Sequence, residues 1–255
     1  MTTHLVIPDP HAHPDFSNDR ANWMGQLIHE LKPDVVINLG DQADLASLSL
    51  YDKGKASFAS RNYQRDIEAS LDFQEKLWAP AKAAKKRMPR RVILEGNHEH
   101  RIKRAMDIQP ELVGDRYGLS FSDLDWSACY TDVVEYEGQT PGVIDVDGLL
   151  YAHFFVSGVM GRPIGGVHQA SSLVSKSYQS CVMGHTHTTD WSVRTTPTGK
   201  HIMGLIAGVG QDYDSPWAGT VNKLWWRGVV ILRNIEDGTY DPQWVSMKAL
   251  KEAYA

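Results

Sequence analysis

The first hundred residues alternate between short apolar runs and longer segments with apolar residues at helical spacing. Apolar runs at 4–8, 35–39 and 91–94 have the length and composition of buried strands. Between them, residues 17–31 and 61–86 carry apolar side chains three or four positions apart, which predicts helices. This order of strand, helix, strand, helix, strand is typical of a mostly parallel sheet with crossover helices.

The rest of the chain is richer in short apolar runs, which predict a second set of strands. A helix is predicted at 169–178, between two of these runs. The turn at 197–199 should join two antiparallel strands, because Pro and Gly favour tight turns. The last residues, 248–255, suit a short helix or a frayed end. The strands are predicted at 149–155, 180–183, 191–194, 201–206, 225–233 and 244–247.

This pattern is that of an α/β protein, and we predict a two-sheet β-sandwich flanked by helices. The chain has 255 residues, enough to bury a large core, and many α/β folds of this length form one domain. We therefore predict a single domain over residues 1–255. The pattern is least regular over residues 107–148, which we interpret as an insertion or a lid near the site.

Composition and charge exclude several classes of protein. The chain is 42% hydrophobic and 22% charged, which is ordinary for a globular protein and argues against long disordered or fibrous regions. Its formal net charge of −5 does not fit a protein that coats nucleic acid by bulk electrostatic attraction. A local groove can still be basic.

Cysteine content and hydropathy predict where the protein works. The two cysteines are Cys129 and Cys181, and the second lies in an apolar run, so a buried free thiol is expected rather than a disulfide scaffold. A strand begins almost at the first residue, so no signal peptide is expected, and no apolar run approaches the length of a membrane span. We therefore predict a cytoplasmic protein with no membrane contact and no obligate protein partner.

Five polar motifs carry the candidate chemistry, and most of them directly follow an apolar run. Their polar members are types that bind divalent metals through oxygen or imidazole nitrogen. Loops held at the ends of rigid strands are where catalytic groups are usually placed. One motif alone would be a weak signal, but five in this order predict a two-metal hydrolytic site. They are Asp9-Pro10-His11, Gly40-Asp41-Gln42-Ala43-Asp44, Gly96-Asn97-His98-Glu99, His153 and Gly184-His185-Thr186-His187.

Together the motifs resemble those of the calcineurin-like metallophosphoesterases, namely D-x-H, G-D-x-x-D, G-N-H-E, a lone His after an apolar strand, and G-H-x-H. The resemblance spans residues 9–187, and the compact chain is similar to stand-alone bacterial and bacteriophage members. It implies the sandwich architecture, a phosphoester substrate and attack by a hydroxide that bridges two divalent ions. It assigns Asp9, His11, Asp41 and His187 to the first ion, and Asp41, Asn97, His153 and His185 to the second, with Asp41 bridging.

The spacing of the motif residues agrees with this assignment. In an extended strand end, residues i and i+2 point the same way, so Asp9 and His11 can converge on one ion. By the same argument, His185 and His187 would point the same way, one towards each ion.

Several motif residues have a structural alternative. Asp41 or Asn97 could cap a helix N-terminus, a role that is compatible with metal binding. His153 taken alone would be interpreted as a core histidine, and the other four motifs reverse that interpretation. His13 offers a different register with His11, and it could instead line the mouth of the site.

His98 is the candidate catalytic residue. It follows the ligand Asn97, and the resemblance places it near the leaving group; histidine titrates close to neutral pH and can deliver a proton there. Its alternative role is to orient the phosphate. Asp44 is interpreted as a carboxylate that holds a ligand imidazole or a loop amide, or else as a solvated helix residue. Arg101 could reach the substrate, and Glu99 is interpreted as a loop or cap residue with no catalytic step.

Two further features have weaker functional interpretations. The densest run of positive charge is interpreted first as a solvated helix C-terminus and second as a track for a phosphate backbone. Trp217, in a loop rich in Gly, Asp and Pro, could stack on a base, although tryptophans more often pack internally. The basic run comprises Lys82, Lys85, Lys86, Arg87, Arg90 and Arg91.

We interpret the chain as a metal-dependent phosphoric ester hydrolase, and in particular as a phosphodiesterase for a nucleotide or nucleic acid. The Ser/Thr protein phosphatases of the superfamily carry Arg-Gly after the second motif, where this chain has Leu45 and Ala46. A phosphomonoesterase is the alternative. A non-catalytic metal-stabilised scaffold is less favoured, because all seven ligand positions and His98 are present. Mn is favoured as the metal, and Fe, Ni or Zn also suit mixed His, Asp and Asn ligands.

Overall fold

Two main β-sheets and their flanking helices form the protein. The computed structural model describes residues 2–84, 87–114 and 118–255. The strands are β1 (Thr2–Ile7), β2 (Val35–Asn38), β3 (Arg90–Leu94), β4 (Asp132–Val134), β5 (Ile144–Val146), β6 (Leu149–Ala152), β7 (Val156–Ser157), β8 (Arg162–Pro163), β9 (Cys181–Met183), β10 (Thr189–Thr195), β11 (His201–Ala207), β12 (Gly228–Glu236) and β13 (Thr239–Ser246). The α-helices are α1 (Asp19–Leu31), α2 (Tyr63–Ala83), α3 (His100–Ile108), α4 (Trp126–Cys129), α5 (Gln169–Ser177) and α6 (Met247–Tyr254).

The six-stranded sheet has the order β13-β12-β1-β2-β3-β4. Strands β1 to β4 run parallel, and β12 and β13 extend the sheet in antiparallel pairs. Helices α1 and α2 connect consecutive parallel strands, as crossover connections require. Because parallel neighbours align their carboxyl ends, the loops that follow β1, β2 and β3 meet at one edge of the sheet.

The five-stranded sheet has the order β10-β11-β9-β6-β5. Strands β6 and β11 both run parallel to β9, so the loops after β6 and β9 also leave from one edge. Alternate residues of β9 face opposite ways, as pleating requires. Cys181 and Met183 pack against Ala170 and Leu173 of α5, whereas Val182 faces the other sheet.

Packing on both faces of the first sheet explains its unbroken apolar strands. Leu5 and Ile7 contact the cluster built with α1, α2 and α6, whereas Val6 lies between them in sequence and joins the cluster between the sheets. A strand buried on both faces loses the polar alternation of a half-exposed strand. The same pattern repeats in β2 and β3, where Val36 and Ile93 face the helices.

The predicted α/β sandwich with flanking helices is confirmed, with differences at several element ends. Helix α1 begins at Asp19 instead of residue 17. The predicted end of the second helix at 86 falls on residues outside the described ones, and α2 ends at Ala83. Residues 248–255 are helical apart from the last residue, since α6 spans Met247–Tyr254.

The clearest differences between predicted and observed strands are at the sheet edges. Strand β13 begins five residues before the predicted 244, and β5 has no predicted counterpart. Both belong to hairpins whose turns are Asp-Gly pairs with positive φ, at Asp237-Gly238 and Asp147-Gly148. Asp-Gly is a strong hairpin signal, and attention to it would have located both strands.

Residues 107–148 contribute strands to both sheets within their described part. Strand β4 forms one edge of the six-stranded sheet, and β5 forms one edge of the five-stranded sheet. Helix α4 and two short 3-10 turns lie between α3 and β4. Their interpretation as an insertion or a lid stays a prediction, as does the single-domain boundary at 1–255.

Candidate active site

All five motifs meet at one end of the sandwich, on the loops that follow β1, β2, β3, β6 and β9. The motif residues do not continue the extended strands. Asp9, His11, Asp41, His185 and His187 all have positive φ, between 38° and 68°. The i and i+2 argument for an extended strand end was therefore wrong, although the side chains do converge. Left-handed backbone at non-glycine residues is strained, and such residues cluster at functional sites.

One group of ligand atoms surrounds the Nε2 atom of His153. The Nδ1–H of His153 donates to the carbonyl oxygen of Leu39 at 2.9 Å, which leaves Nε2 free to accept or to bind a metal. That nitrogen lies 3.4 Å from Asp41 Oδ2, 3.0 Å from Asn97 Oδ1 and 3.3 Å from His185 Nδ1. These four residues are the set assigned to the second ion from the sequence.

A second group of atoms lies on the other side of the Asp41 carboxylate. The Nε2 atoms of His11 and His187 are 3.1 Å apart, and His11 Nε2 lies 3.9 Å from Asp41 Oδ2. His187 Nε2 lies 3.6 Å from Asp9 Oδ2. Asp41 Oδ2 is thus the atom common to both groups, as a bridging ligand requires. His98 also belongs here by distance, because its Nε2 lies 3.8 Å from the same oxygen.

The donor set fits two divalent cations. Asp9 Oδ1 is buried and has no hydrogen-bond partner among the described residues, which is costly unless a cation or water satisfies it. The Nε2 atoms of His11 and His187 face each other at 3.1 Å, a separation at which two imidazole nitrogens can bind one metal ion. Three-residue sets with metal-compatible spacing are His11, Asp41 and His98, and Asp41, His153 and His185.

Electrostatics at the site also favour bound positive charge. Burial raises the pKa of the Asp9 carboxyl to about 7. Burial would likewise raise the pKa of Asp41, but the charge on His153 holds it well below its usual range. Burial works to lower the pKa of His153, and the Asp41 carboxylate outweighs it and raises that pKa to about 9. Burial, and to a smaller extent the charge of His153, lower the pKa of His185 to about 3. The buried carboxylates thus favour a nearby positive charge, which a divalent ion would supply with His153 Nε2 deprotonated.

His98 is held by its neighbours on both ring nitrogens. Its Nδ1 lies 2.6 Å from the carbonyl oxygen of Asp44, and its Nε2 lies 2.9 Å from Arg101 Nη2. Arginine can only donate, so Nε2 is the acceptor and Nδ1 carries the hydrogen in this arrangement. The backbone N–H of His98 donates to Asp41 Oδ1 at 2.8 Å. The candidate acid therefore sits directly beside the candidate bridging ligand.

Asp44 contacts three histidines at once. Its Oδ1 lies 3.3 Å from His11 Nδ1 and 3.1 Å from His98 Nδ1, and its Oδ2 lies 3.8 Å from His13 Nε2. Burial opposes ionisation, but hydrogen bonds from His11 and His98 hold the pKa of Asp44 well below its usual range. His13 is partly exposed at the mouth of the site, where it also lies near Asp15. Asp44 thus orients a candidate ligand and the candidate acid together.

Glu99 is a positioning residue that the sequence analysis missed. Its side chain is fully buried, and its two oxygens accept hydrogen bonds from the backbone N–H groups of Asp41, Ala43 and Gly96, at 2.8–3.0 Å. Burial and the nearby Asp41 charge raise its pKa to about 8. Its place in the G-N-H-E motif was the available signal, which we interpreted as a loop or cap residue.

Arg20 is a second positioning residue that the sequence did not indicate. It lies in α1 with its side chain fully buried, and its guanidinium donates to the carbonyl oxygens of Pro10 and His11 at 2.9 and 3.2 Å. Tyr213 donates to the His11 carbonyl at 2.6 Å. The loop that carries Asp9 is therefore clamped from two distant parts of the chain. No local pattern distinguishes Arg20 from a surface arginine.

Two motif glycines are required by close approach to the carboxylates. A Cβ at Gly96 would overlap Asp41, and a Cβ at Gly184 would overlap the Asp9 carboxylate. Any larger residue would push the ligands out of place. The glycines in G-N-H-E and G-H-x-H are thus required because there is no room for a side chain beside the carboxylates.

A cavity of about 900 Å³ opens above the ligand groups. Its base includes Asp41, Asn97 and His98. The described members of the basic run at 82–91 do not line it; Arg90 instead pairs with Asp132 at 2.7 Å. The walls come mainly from two segments outside the motifs, residues 46–66 and residues 213–217. Among the lining residues are Tyr51, Asp52, Lys55, Arg61, Arg65, Arg101, Tyr213, Ser215 and Trp217.

Comparison with known proteins identifies the family. The family described as calcineurin-like phosphoesterase matches residues 3–189, which is more than half of the chain. The chain therefore belongs to the calcineurin-like phosphoesterases and is a metal-dependent phosphoric ester hydrolase. The resemblance of the five motifs is confirmed.

Other comparisons are more distant. No curated protein sequence matches the chain. Among solved structures, TT1561 of Thermus thermophilus is similar at 8% identity, covering 95% of this chain and 98% of its own, with a TM-score of 0.39. Another solved structure is 9% identical, with coverage of 96% and 99% and a TM-score of 0.40.

Two further observations concern helix hydropathy and the cysteines. Within the described ranges, no helix combines the length and apolar character needed to cross a membrane. Cys129 and Cys181 are both free, and Cys181 is buried.

Proposed function

We propose that the protein is a dinuclear phosphodiesterase acting on a nucleotide or nucleic-acid phosphodiester. The observation that carries the proposal is the shared position of Asp41 Oδ2 between the two groups of ligand atoms. The first ion would be held by Asp9, His11, Asp41 and His187, and the second by Asp41, Asn97, His153 and His185.

The protein's own residues would position the substrate and move the proton. When bound, two such ions supply Lewis acidity to the phosphoryl oxygens and to the attacking water. His98 Nε2, once released from Arg101, would take up a proton from solvent and donate it to the leaving oxygen. Asp44 would keep His98 Nδ1 protonated and the ring oriented through its carbonyl and carboxylate oxygens.

The charge near the ligand groups favours a phosphodiester over a phosphomonoester. A monoester is largely dianionic and is best held by free arginines. Arg101 already donates to the carbonyl oxygens of Asp44 and Leu45 as well as to His98. Leu45 and Ala46 occupy the positions of the Arg-Gly pair of the protein phosphatases. A monoanionic diester needs less added positive charge.

Manganese is the metal that we propose, with iron, nickel and zinc as acceptable substitutes. Mixed imidazole, carboxylate and amide ligation suits these borderline ions better than calcium. We also propose a reducing, cytoplasmic location, which is supported by the free thiols of Cys129 and Cys181.

The decisive experiment compares esters with the same leaving group. We expect Mn²⁺-loaded protein to hydrolyse bis-p-nitrophenyl phosphate with a higher kcat/KM than p-nitrophenyl phosphate. Protein stripped with a chelator and restored with Mn²⁺ is the matched control for metal dependence. A preference for the monoester of about tenfold or more would instead establish the phosphatase alternative. Full metal loading with no hydrolysis of any ester would favour the scaffold.

A further inference from the structure

An exposed tryptophan lines the cavity beside the ligand groups. Trp217 is 64% exposed, although tryptophan is among the residues that gain most from burial. It lies in a 3-10 segment, Pro216–Leu224, between β11 and β12. An exposed aromatic face in a catalytic cavity is available to a ligand.

The turn that carries Trp217 is held by a buried hydrogen-bond network. Asn222 is 5% exposed and accepts from the N–H of Ser215 at 2.9 Å. Its amide donates to the carbonyl oxygens of Ser215 and Gly219 at 2.9 and 3.0 Å. A side chain that closes a turn with three such bonds restricts the turn to one shape. Trp217 is therefore presented on a fixed support.

A second tryptophan connects this support to the ligand groups. The ring of Trp225 lies edge-on to His187, with centroids 4.3 Å apart, and 5.7 Å from the ring of Trp217. The N–H of the next residue, Trp226, donates to the carbonyl oxygen of His187 at 3.0 Å. Trp217 is thus two ring contacts away from a proposed metal ligand.

The other wall segment supplies positive charge. Lys55, Arg61 and Arg65 line the same cavity and form ion pairs with Asp52 or Asp15. The Lys55 and Arg65 side chains are exposed, so their pairs contribute little and can exchange their partner for a phosphate, whereas the Arg61 pair is mostly buried. A charged track and an aromatic ring in one groove are the combination that binds single-stranded nucleic acid.

We propose that Trp217 is a stacking platform for the nucleobase next to the scissile phosphate. The substrate class is then a phosphodiester that bears a nucleobase on the side of the phosphate held near His187. This inference rests on the proposed phosphodiesterase function and adds a residue that selects the substrate.

The cavity position of Trp217 separates this role from that of an apolar docking patch. Val221 and Leu224 are also exposed on the same turn, at 47% and 69%. Trp217 lines the cavity, and these two residues lie outside its lining. A partner that bound the apolar patch would contact all three, whereas a base at the active site contacts Trp217.

The test uses three diesters with one leaving group and Mn²⁺-loaded protein. They are the p-nitrophenyl esters of thymidine 5′-phosphate, of abasic deoxyribose 5-phosphate and of methyl phosphate. We expect Trp217→Ala to lower the ratio of kcat/KM for the thymidine ester to that for the methyl ester by roughly 5- to 100-fold. Trp217→Phe should keep most of the ratio. Trp191→Ala, at another exposed tryptophan, and Leu224→Ala are the matched controls and should not change it.

Each other result overturns the stacking role. An unchanged ratio in Trp217→Ala shows that the base does not contact this ring. An equal fall in Leu224→Ala shows an apolar docking patch. If kcat/KM for the abasic ester falls as much as kcat/KM for the thymidine ester, Trp217 contacts the sugar and not the base.

A binding measurement keeps this inference distinct from the proposed function. Calorimetric titration with thymidine 5′-monophosphate and with deoxyribose 5-phosphate requires no hydrolysis. We expect Trp217→Ala to weaken binding of thymidine 5′-monophosphate, so that the variant binds the two ligands with similar affinity. If no diester is cleaved but a difference in affinity is found in the parent protein and lost in the variant, the platform stands and the phosphodiesterase proposal fails.

Discussion

The floor and the rim of the cavity differ in the burial of their side chains and in the contacts that hold them. We define the floor as the seven proposed ligands with His98, and the rim as the exposed lining residues Tyr51, Lys55, Arg65 and Trp217. Most floor side chains are buried, and partners from distant segments hold them, as Glu99 does for the loop after β2. Rim side chains are exposed, with Tyr51 at 85%, and their ion pairs lie at the surface.

This difference separates chemistry from substrate choice. A buried floor keeps charged groups at fixed distances in a low-dielectric setting, where a small displacement is expensive. An exposed rim can change residue without disturbing the fold, because surface substitutions usually alter stability by less than about 0.5 kcal/mol. We therefore expect floor variants to lose metal or turnover, and rim variants to change which ester is preferred.

The largest effect is expected at the bridging position. Asp41→Asn removes the charge shared by both ligand groups, so both ions should be weakened together and kcat/KM should fall by roughly 10⁴-fold or more. His11→Ala is the matched variant and should weaken mainly one ion. Metal analysis after gel filtration measures both. Two full equivalents in Asp41→Asn would remove Asp41 from the bridging role.

His98→Ala should retain both ions and a near-native fold. Its kcat should fall by roughly 10²–10⁴, the usual contribution of a positioned acid or base. The loss should be smallest for p-nitrophenolate and largest for an alkoxide such as a ribose oxygen, since only poor leaving groups need the proton. Equal losses across a series of leaving groups would show that His98 orients the phosphate. Loss of metal would show that it is a ligand, as its distance to Asp41 also allows.

Glu99→Gln tests whether the floor depends on residues outside the ligand set. The amide can accept fewer of the three backbone hydrogen bonds and brings a donor against an N–H group, so unfolding should become easier by about 1–3 kcal/mol. Metal affinity should fall by roughly 10- to 100-fold, as for other residues that orient ligands. Denaturant unfolding and metal titration provide the two readouts. Glu68→Gln, on the exposed face of α2, is the control, and an equal effect there would contradict the positioning role.

The smallest effect is expected on the rim. Arg65→Ala breaks an exposed pair with Asp15, with N···O at 3.2 Å, and should change the unfolding free energy by less than about 0.5 kcal/mol. It should lower kcat/KM for an oligonucleotide a few-fold at low salt, and the loss should vanish at high salt because the contact is screened. Arg194→Ala, at an exposed arginine outside the cavity lining, is the control. A salt-independent loss of turnover would place Arg65 with the floor.

The sequence alone determined the parts of the protein that depend on short-range order. Strands buried on both faces produce unbroken apolar runs, so β1, β2 and β3 were visible, and each ligand loop was located by the run before it. The motif residues directly follow their strands, and left-handed backbone at five of them, rather than strand register, sets the direction of their side chains. The seven ligand positions were proposed from the resemblance of the motifs to the calcineurin-like family, which requires no knowledge of contacts.

Only the tertiary structure decided the residues that act across the chain. Arg20 and Tyr213 clamp one carbonyl from positions 193 residues apart, and no local pattern encodes such a meeting. Apart from Trp217, the rim was not identified from the sequence, because polar turns with irregular spacing carry no periodic signal. A side chain's burial and its partners are properties of the packed chain, so Glu99 looked like a loop residue until three backbone amides were found around it.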